Sequence, residues 1–423
     1  MRLASLVLAV TSVSTACGGD SGKPIDAPID ATSTLAPATY MYIVAHQGDD
    51  LRYMQPDLGD EIASRGGVTT IYVTDGTGED ASAKADADHR GVELAYAALA
   101  GMPSATWACG TVMLDSQPAE HCRLDAAKLS LVFLGYPASA ADGSSTNSLL
   151  HLWEAKVTSV SNPAVARMPT YSQVSLIASV AAAINATGPT SLRTLEVAST
   201  HGADHSDHML VGALAVLAMA ASSTQPLLSA YRGDNIAGEP ANAVADSLAR
   251  TANAYGLYAA CATGCAACGT ACTTSQLSAT DAALIQRSYA IAFFPEADGQ
   301  IKLGTDCVRL PQVGANGTVG SCTDAPTWEL DVRGKLESDA KICMKAILTG
   351  EIVGSDCTNG GAGARFFLDS ENHLWNGVVP GAQADMTTAH LQCLGNSGGR
   401  PRDQLCGATN APVVDGLGGS VPL

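Results

Sequence analysis

The sequence predicts an α/β domain followed by an all-β domain, and two observations support this. In the first part of the chain, short runs of β-branched and aliphatic residues alternate with stretches of helical periodicity. Strands separated by helices indicate right-handed βαβ units and a Rossmann-like parallel sheet with helices on both faces. After about residue 296 the pattern changes to short strands, Gly and Asn turns and regularly spaced cysteines. We therefore expect one domain over residues 39–296 and a second over residues 297–423.

The elements of the first domain follow from these runs. The segments that we interpret as strands are residues 41–45, 70–74, 129–134 and 195–199. The helical stretches lie around Glu61 and over residues 90–99 and 172–185. A further apolar run, residues 209–221, is shorter than the ~20 residues that span a bilayer, so we interpret it as a buried helix.

The N-terminus has the composition of an export signal. A positive start precedes a short apolar core over residues 3–10, and small residues lead to Cys17. This resembles a bacterial lipoprotein signal over residues 1–17, with Ser14 in place of the usual Leu, and implies a lipid anchor on Cys17. The protein would then lie in the cell envelope, in the periplasm or at the cell surface. The alternative is a secreted protein. Residues 18–38 are polar and are expected to form a flexible linker.

The charge of the chain excludes one class of partner. Asp and Glu number 41 against 23 Lys and Arg, and the formal net charge is −18. Such a surface repels phosphate backbones, so we expect no nucleic-acid partner.

The cysteines agree with export. Twelve remain besides Cys17, an even number that suits disulfides in an oxidising compartment. We expect Cys109 and Cys122 to pair locally. A C-x3-C-x2-C-x3-C cluster over residues 261–272 is expected to form two disulfides, with a zinc site as the alternative. The C-terminal part holds three more pairs, which are Cys307/Cys322, Cys343/Cys357 and Cys393/Cys406.

The three C-terminal pairs have similar spacing and indicate an internal repeat. The segment 320–336, with Cys322 and Trp328, resembles the ricin-type lectin β-trefoil, in which Gln-x-Trp follows the second Cys of each repeat. The resemblance implies a carbohydrate-binding fold. No Gln-x-Trp is intact here, and the Asp that grips sugar in that family is missing after each first Cys. The fold is therefore better supported than sugar binding.

Two clusters of His and Asp adjoin two of the predicted strands. His-Gln-Gly-Asp-Asp at residues 46–50 directly follows the first strand, and His-Ser-Asp-His at residues 205–208 precedes the buried helix. In an open parallel sheet the carboxyl ends of the strands share one rim, where ligands bind. Two imidazoles and a carboxylate meeting there would make a zinc site with one position open. A lone histidine at a strand end more often caps or hydrogen-bonds, but the two clusters together favour a metal.

These motifs resemble those of the PIG-L/LmbE-like zinc-dependent deacetylases, which remove acetyl groups from N-acetylated amino sugars. Their first motif, roughly Ala-His-Pro-Asp-Asp, aligns without a gap, and their second is His-x-Asp-His. The resemblance covers residues 40–296, about three fifths of the chain. Matching segments are residues 45–50, 74–76, 205–208 and 231–233, together with Arg90 and Glu93.

The resemblance implies a role for each of several residues and an N-acetylated amino-sugar glycan or glycoconjugate as substrate. His205 would stabilise the oxyanion and protonate the departing amine, and Asp207 would orient a histidine. Arg90 would grip the substrate. The implied ligands of Zn2+ are His46, Asp49 and His208.

One position departs from the family, because its general base is Gly48 here. A positioned base contributes about 10²- to 10⁴-fold to the rate, whereas zinc alone lowers the pKa of its bound water to about 7. We therefore expect a slow hydrolase, with Asp50 as the candidate substitute base, and we expect Gly48→Asp to raise the rate. The alternative is a glycan-binding pseudoenzyme of the cell envelope.

Overall fold

A computed structural model describes most of the chain. The described residues are 33–75, 82–163, 165, 167–197, 201–263, 265, 268–347, 349–358, 362–376, 392–405 and 414–419. The predicted signal segment with Cys17 and most of the predicted linker lie outside these residues, so the lipid anchor stays a prediction.

The α/β part contains strands and helices in alternation. Its strands are β1 (Tyr40–Val44), β2 (Val68–Thr74), β3 (Ala108–Leu114), β4 (Gln117–Leu124), β5 (Leu129–Tyr136), β6 (Val160–Ser161), β7 (Thr170–Tyr171), β8 (Ser191–Leu195), β9 (Leu227–Tyr231) and β10 (Ala290–Phe294). Its helices are α1 (Asp49–Tyr53), α2 (Asp57–Ser64), α3 (Ser82–Leu99), α4 (Leu149–Trp153), α5 (Gln173–Thr187), α6 (Ser206–Ala221), α7 (Ala245–Ala262) and α8 (Ala279–Leu284).

The C-terminal part is built from short strands. They are β11 (Ala297–Leu303), β12 (Asp306–Arg309), β13 (Thr318–Gly320), β14 (Trp328–Leu330), β15 (Leu336–Ser338), β16 (Cys343–Ala346), β17 (Ile352–Ser355), β18 (Phe366–Asp369), β19 (Leu374–Asn376), β20 (Gln392–Ser397), β21 (Arg400–Leu405) and β22 (Asp415–Gly419).

The larger sheet has twelve strands and a parallel centre. Its order is β21-β20-β19-β18-β10-β9-β8-β1-β2-β5-β4-β3. The strands from β9 to β5 in this order run parallel, and antiparallel strands flank them on both sides. The chain leaves β1 toward β2 on one side and leaves β8 toward β9 on the other. The carboxyl ends of β1 and β8 therefore lie at the point where the strand order reverses, which is where open α/β sheets bind ligands.

The helix that follows β8 is buried along nearly its whole length, as predicted for residues 209–221. α6 begins one turn earlier than that apolar run, at Ser206, and every residue from Ser206 to Ala220 is buried. Gly212 allows this packing, because a Cβ there would lie 2.5 Å from the carbonyl oxygen of Leu195 at the end of β8. The first turn of α6 is thus held against the rim of the sheet.

The fourth predicted strand was placed too late in the sequence. β8 ends at Leu195, where residues 195–199 were expected to begin a strand. The charged residue Arg193 lies in the middle of β8 and interrupts the apolar pattern that would predict a strand. The guanidinium of Arg193 forms ion pairs with Asp57 and Glu61 of α2. Glu196 and Val197 are not part of a strand, and residues 198–200 lie outside the described residues.

The end of the predicted flexible linker is packed against the fold. Ser33 forms a β-bridge with Val112, and its hydroxyl lies 2.9 Å from Nδ1 of His121. Leu35 is buried in the main core. The linker was predicted to extend to residue 38, but this apolar side chain and the free edge of β3 give its last residues a place to pack.

The C-terminal strands are divided between two sheets. β11 to β17 and β22 form a second, antiparallel sheet with its own core, whereas β18 to β21 pair onto β10 and extend the larger sheet. Alternation along β18 serves both cores, because Phe366 and Leu368 face the smaller one and Phe367 faces the larger one. An α/β unit and an antiparallel β unit are therefore present, while the trefoil stays a prediction and the boundary at residue 297 does not separate the sheets.

The disulfides agree with the predicted pairing and favour an oxidising, extracellular environment. The predicted local pair and both bonds of the four-cysteine cluster are formed. Cys393 is also disulfide-bonded, and Cys406 lies outside the described residues. In the part of the chain that is described, no helix is long and apolar enough to cross a membrane. The pairs are Cys109–Cys122, Cys261–Cys268, Cys265–Cys272, Cys307–Cys322 and Cys343–Cys357.

Candidate metal centre

The first half of the site is a turn between β1 and α1. His46 lies two residues beyond the end of β1, and Gly48 adopts a φ of 93° that lets the chain reverse into α1. This turn brings Asp49 back beside His46, whose backbone N–H donates to Asp49 Oδ2 at 2.6 Å. The second half is the first turn of α6, where His205 is the N-cap residue and His208 is buried.

The two halves converge. Ligand atoms of His46, Asp49 and His208 all lie within 4.8 Å of one another. Asp49 Oδ2 lies 3.3 Å from His46 Nδ1 and 3.5 Å from His208 Nε2. Two ligands each about 2.1 Å from a tetrahedral zinc ion are about 3.4 Å apart, so these separations fit such an ion.

Each of the two histidines has a carboxylate on its other ring nitrogen. His46 Nε2 lies 3.3 Å from Asp207 Oδ2, and His208 Nδ1 lies 2.9 Å from Asp204 Oδ1. Ser139 holds Asp207 in turn, because its backbone N–H and its hydroxyl donate to the two carboxylate oxygens at 2.9 and 2.8 Å. Carboxylates placed in this way orient imidazoles that bind metals and direct the free lone pair to the ion. Asp204 was not predicted from the sequence, although its position four residues before His208 could have indicated that the two side chains are in contact.

The charges of the site suit a divalent cation. Burial lowers the pKa of His46, but Asp49 and Asp207 outweigh it and raise this pKa to about 9. His208 behaves similarly, because Asp204 and Asp49 raise its pKa well above the usual range against the effect of burial. Three carboxylates thus face two imidazolium groups. A divalent cation replaces the two protons without changing the net charge of the cluster.

His205 faces the same centre but differs from its neighbours. Its ring centroid lies 4.7 Å from that of His46 and 5.2 Å from that of His208. Burial, followed by the positive charge of these two rings, lowers the pKa of His205 to about 4. The backbone N–H of Asp207 donates to His205 Nδ1 at 3.2 Å, so the proton of the neutral ring sits on Nε2. The ring can therefore donate a hydrogen bond from Nε2.

Gly48, at the position where the resemblance implies a general base, has no room for a side chain. A Cβ at this position would lie 2.5 Å from Cε1 and 2.7 Å from Cζ of Tyr258. The positive φ is a second obstacle to an L-residue. The expectation that Gly48→Asp raises the rate therefore does not suit this structure, because the ring of Tyr258 already fills that space.

Asp50 does not face the converging ligands. Its carboxylate is fully buried and accepts hydrogen bonds from the hydroxyls of Tyr72, at 2.9 Å, and Tyr96, and from the backbone N–H of Leu51. Burial raises its pKa to about 6. The proposed substitute base is thus directed into the core by the same helical turn that presents Asp49 to the site.

Arg90 is not among the residues that converge. It lies on α3 with a half-exposed side chain, and its guanidinium is 3.3 Å from Glu93. Its role in substrate binding stays a prediction.

Two other groups of potential ligands are explained without a metal. Each combines one glutamate with two cysteines whose sulfurs are already joined in a disulfide, which leaves no thiolate to bind an ion. The groups are Glu93 with Cys109 and Cys122, and Glu337 with Cys343 and Cys357.

Comparison with known proteins adds no family to these observations. Neither a scan against protein-family models nor a search of the curated proteins found a match. The function of the protein is therefore inferred from the residues of the site.

Proposed function

We propose that this protein is an exported zinc-dependent hydrolase that removes acetyl groups from N-acetylated amino sugars or glycans, in the manner of the PIG-L/LmbE-like deacetylases. The observation that carries the proposal is the spacing of His46, Asp49 and His208, with 3.3 and 3.5 Å between the ligand atoms. The carboxylates on the outer nitrogens of both histidines support it.

Zinc at this site would polarise the acetyl carbonyl and lower the pKa of a coordinated water. The chain supplies the remaining groups. Nε2–H of His205 stands beside the ligands and would donate to the oxyanion of the tetrahedral intermediate. Because the Nδ1 lone pair of His205 already accepts from the Asp207 backbone N–H, His205 would stay a neutral donor, and the departing amine would take its proton from the attacking water. Asp207 holds His46 in place and keeps His205 in the donating tautomer through its backbone N–H.

The alternative is a glycan-binding pseudoenzyme, and one observation favours it. Gly48 supplies no carboxylate, and the Tyr258 ring leaves no space for one. A protein with these features could keep the metal and the fold while losing turnover.

Acetate release from N-acetylglucosamine oligomers by the full chain, loaded with one equivalent of zinc, separates the two. We expect slow release that is lost on metal removal and falls about 10²-fold or more in His205→Ala. The half-buried His151 lies outside the converging ligands and provides the control, because His151→Ala should retain the wild-type rate. Binding of the oligomers without acetate release would favour the pseudoenzyme.

The proposal includes the cell envelope as the location, with Cys17 as the lipidated residue. The disulfides support export, and the anchor can be tested separately. The full-length precursor should yield a membrane-associated protein, and Cys17→Ala should release it into the soluble fraction. Membrane association of the variant would contradict the anchor.

A further inference from the structure

Tyr258 of α7 is wedged between two glycines at the edge of the candidate metal centre. On one side is Gly48, where a Cβ would come within 2.5 Å of the ring. On the other side is Gly91 of α3, where a Cβ would lie 2.8 Å from the backbone oxygen of Tyr258 and 3.0 Å from its Cδ2. The two close approaches fix both the backbone and the ring of this tyrosine.

The hydroxyl of Tyr258 lies where a side chain of residue 48 would extend. Cζ, the carbon that carries the hydroxyl, is 2.7 Å from the Cβ position of Gly48. Gly48 directly precedes the candidate ligand Asp49, so the phenol borders the centre at the point where the resembling family has its carboxylate.

The hydroxyl is available as a donor. Tyr258 is only 9% exposed, and within the described residues we find no hydrogen bond from its hydroxyl. Burial, followed by the negative charge of Asp88, raises the pKa of Tyr258 well above the usual range, and Asp49 acts in the same direction. The phenol therefore keeps its proton at neutral pH and cannot replace a general base. Tyr258 keeps a small exposed area, so a ligand oxygen can replace water as the partner of this hydroxyl at little cost.

We propose that the hydroxyl of Tyr258 donates a hydrogen bond to the oxygen of a ligand bound at the His46–Asp49–His208 centre, which makes Tyr258 a catalytic residue for the acetyl carbonyl. This inference rests on the proposed function. The carbonyl oxygen would then accept hydrogen bonds from two donors, Tyr258 and His205. At the position where the family has a carboxylate that acts as a base, this protein would have a donor that stabilises the oxyanion.

The test uses the zinc-loaded full chain and acetohydroxamate, which carries an acetyl group and binds zinc through oxygen. Titration calorimetry would compare the wild type with Tyr258→Phe, which keeps the ring and removes the hydroxyl. We expect binding of the probe to weaken about tenfold, the effect of losing one hydrogen bond to a charged group. Zinc affinity, measured by competition with a chromophoric chelator, should not change. Tyr40→Phe is the matched control, because Tyr40 lies at the amino end of β1, on the edge of the sheet opposite the metal centre.

The outcomes separate this proposal from the function on which it rests. Equal affinity of wild type and Tyr258→Phe for the probe would overturn the role of Tyr258, even if acetate is released. Weaker binding to Tyr258→Phe without acetate release from the wild type would support the hydroxyl and reject the deacetylase. A zinc-loaded wild type that does not bind the probe would overturn both. If turnover is measurable, Tyr258→Phe should lower kcat about 10²-fold and leave KM nearly unchanged.

Discussion

Two clusters in this molecule combine histidines with carboxylates, but they differ in whether their ring nitrogens can bind a metal ion. At the rim of the sheet, His46 and His208 each give one ring nitrogen to a carboxylate and turn the other toward Asp49. At the junction with the C-terminal strands, His201 lies 2.9 Å from Glu196 through Nδ1 and 2.9 Å from Glu371 through Nε2. A cation needs lone pairs that point at one centre, so only the first cluster can bind one. The direction of the second nitrogen distinguishes a metal site from a structural link.

The largest expected effect comes from removing a ligand at the rim. We expect His208→Ala to weaken zinc binding roughly 10²- to 10³-fold, since a site worth about 10–16 kcal/mol loses about a quarter of its ligands. His201→Ala is the matched variant from the junction and should bind zinc as the wild type does. Chelator competition measures both, and an equal loss in the two variants would contradict the distinction between the clusters.

The supporting carboxylates allow a finer comparison, because each cluster has an Asp four residues before a His. Asp204→Asn should weaken zinc binding about 10- to 100-fold by removing the charge that orients His208. Asp369→Asn, which alters the corresponding contact with His373, should leave zinc affinity unchanged. Zinc affinities of Asp204→Asn and the wild type that agree within twofold would show that Asp204 does not support the site.

The turn that shapes the rim can be tested through stability. Gly48→Ala should lower the free energy of unfolding by about 1–3 kcal/mol more than Gly101→Ala, because it adds a steric clash to the same backbone strain. Gly101 also has a positive φ, of 71°, but a Cβ there would meet no atom within 4 Å. Urea unfolding of the metal-free proteins measures the difference. Equal costs would mean that the Tyr258 ring moves aside readily.

The smallest effect is a pH dependence of the junction. Hydrogen bonding to Glu196 raises the pKa of His201 against the effect of burial, and Glu371 adds to it. A raised pKa in the folded state stabilises below the unfolded value of about 6.5, and this contribution is lost as pH rises through the folded pKa. His201→Gln should therefore cost more stability at pH 5.5 than at pH 8.5, by about 0.5 kcal/mol. His151→Gln serves as the control, because the His151 ring contacts a backbone oxygen, that of Thr146, at 3.0 Å. A cost independent of pH would show that the ion pairs contribute little.

The parts of the site that could be predicted from sequence are those next to a strong local pattern. His46 and His208 adjoin apolar runs that announce β1 and α6, and the rim of a parallel sheet brings such residues together. Which of the two adjacent Asp residues faces the metal could not be read in this way. That choice depends on the φ of Gly48 and on two buried tyrosine hydroxyls from other elements, which take up Asp50.

The position of Tyr258 beside the site could not be predicted from the sequence for a different reason. It arrives from α7, far along the chain, and only the packing of α7 against α3 reveals that it fills the space beside Gly48. The C-terminal part shows the same limit, since cysteine spacing predicted the local disulfides but not which sheet each strand would join. Local patterns report neighbours in sequence, whereas these features are set by contacts between distant segments.

The pairing of β18 with β10 bears on how the protein can be divided for experiments. A truncated chain ending at residue 296 would lack β18, which covers one side of β10. β10 would then be an exposed edge strand, which is a template for aggregation. It would also uncover the side chains that Phe367 and Trp375 shield in the main core. Insolubility of such a fragment would therefore say nothing about whether the metal centre at the carboxyl ends of β1 and β8 can form.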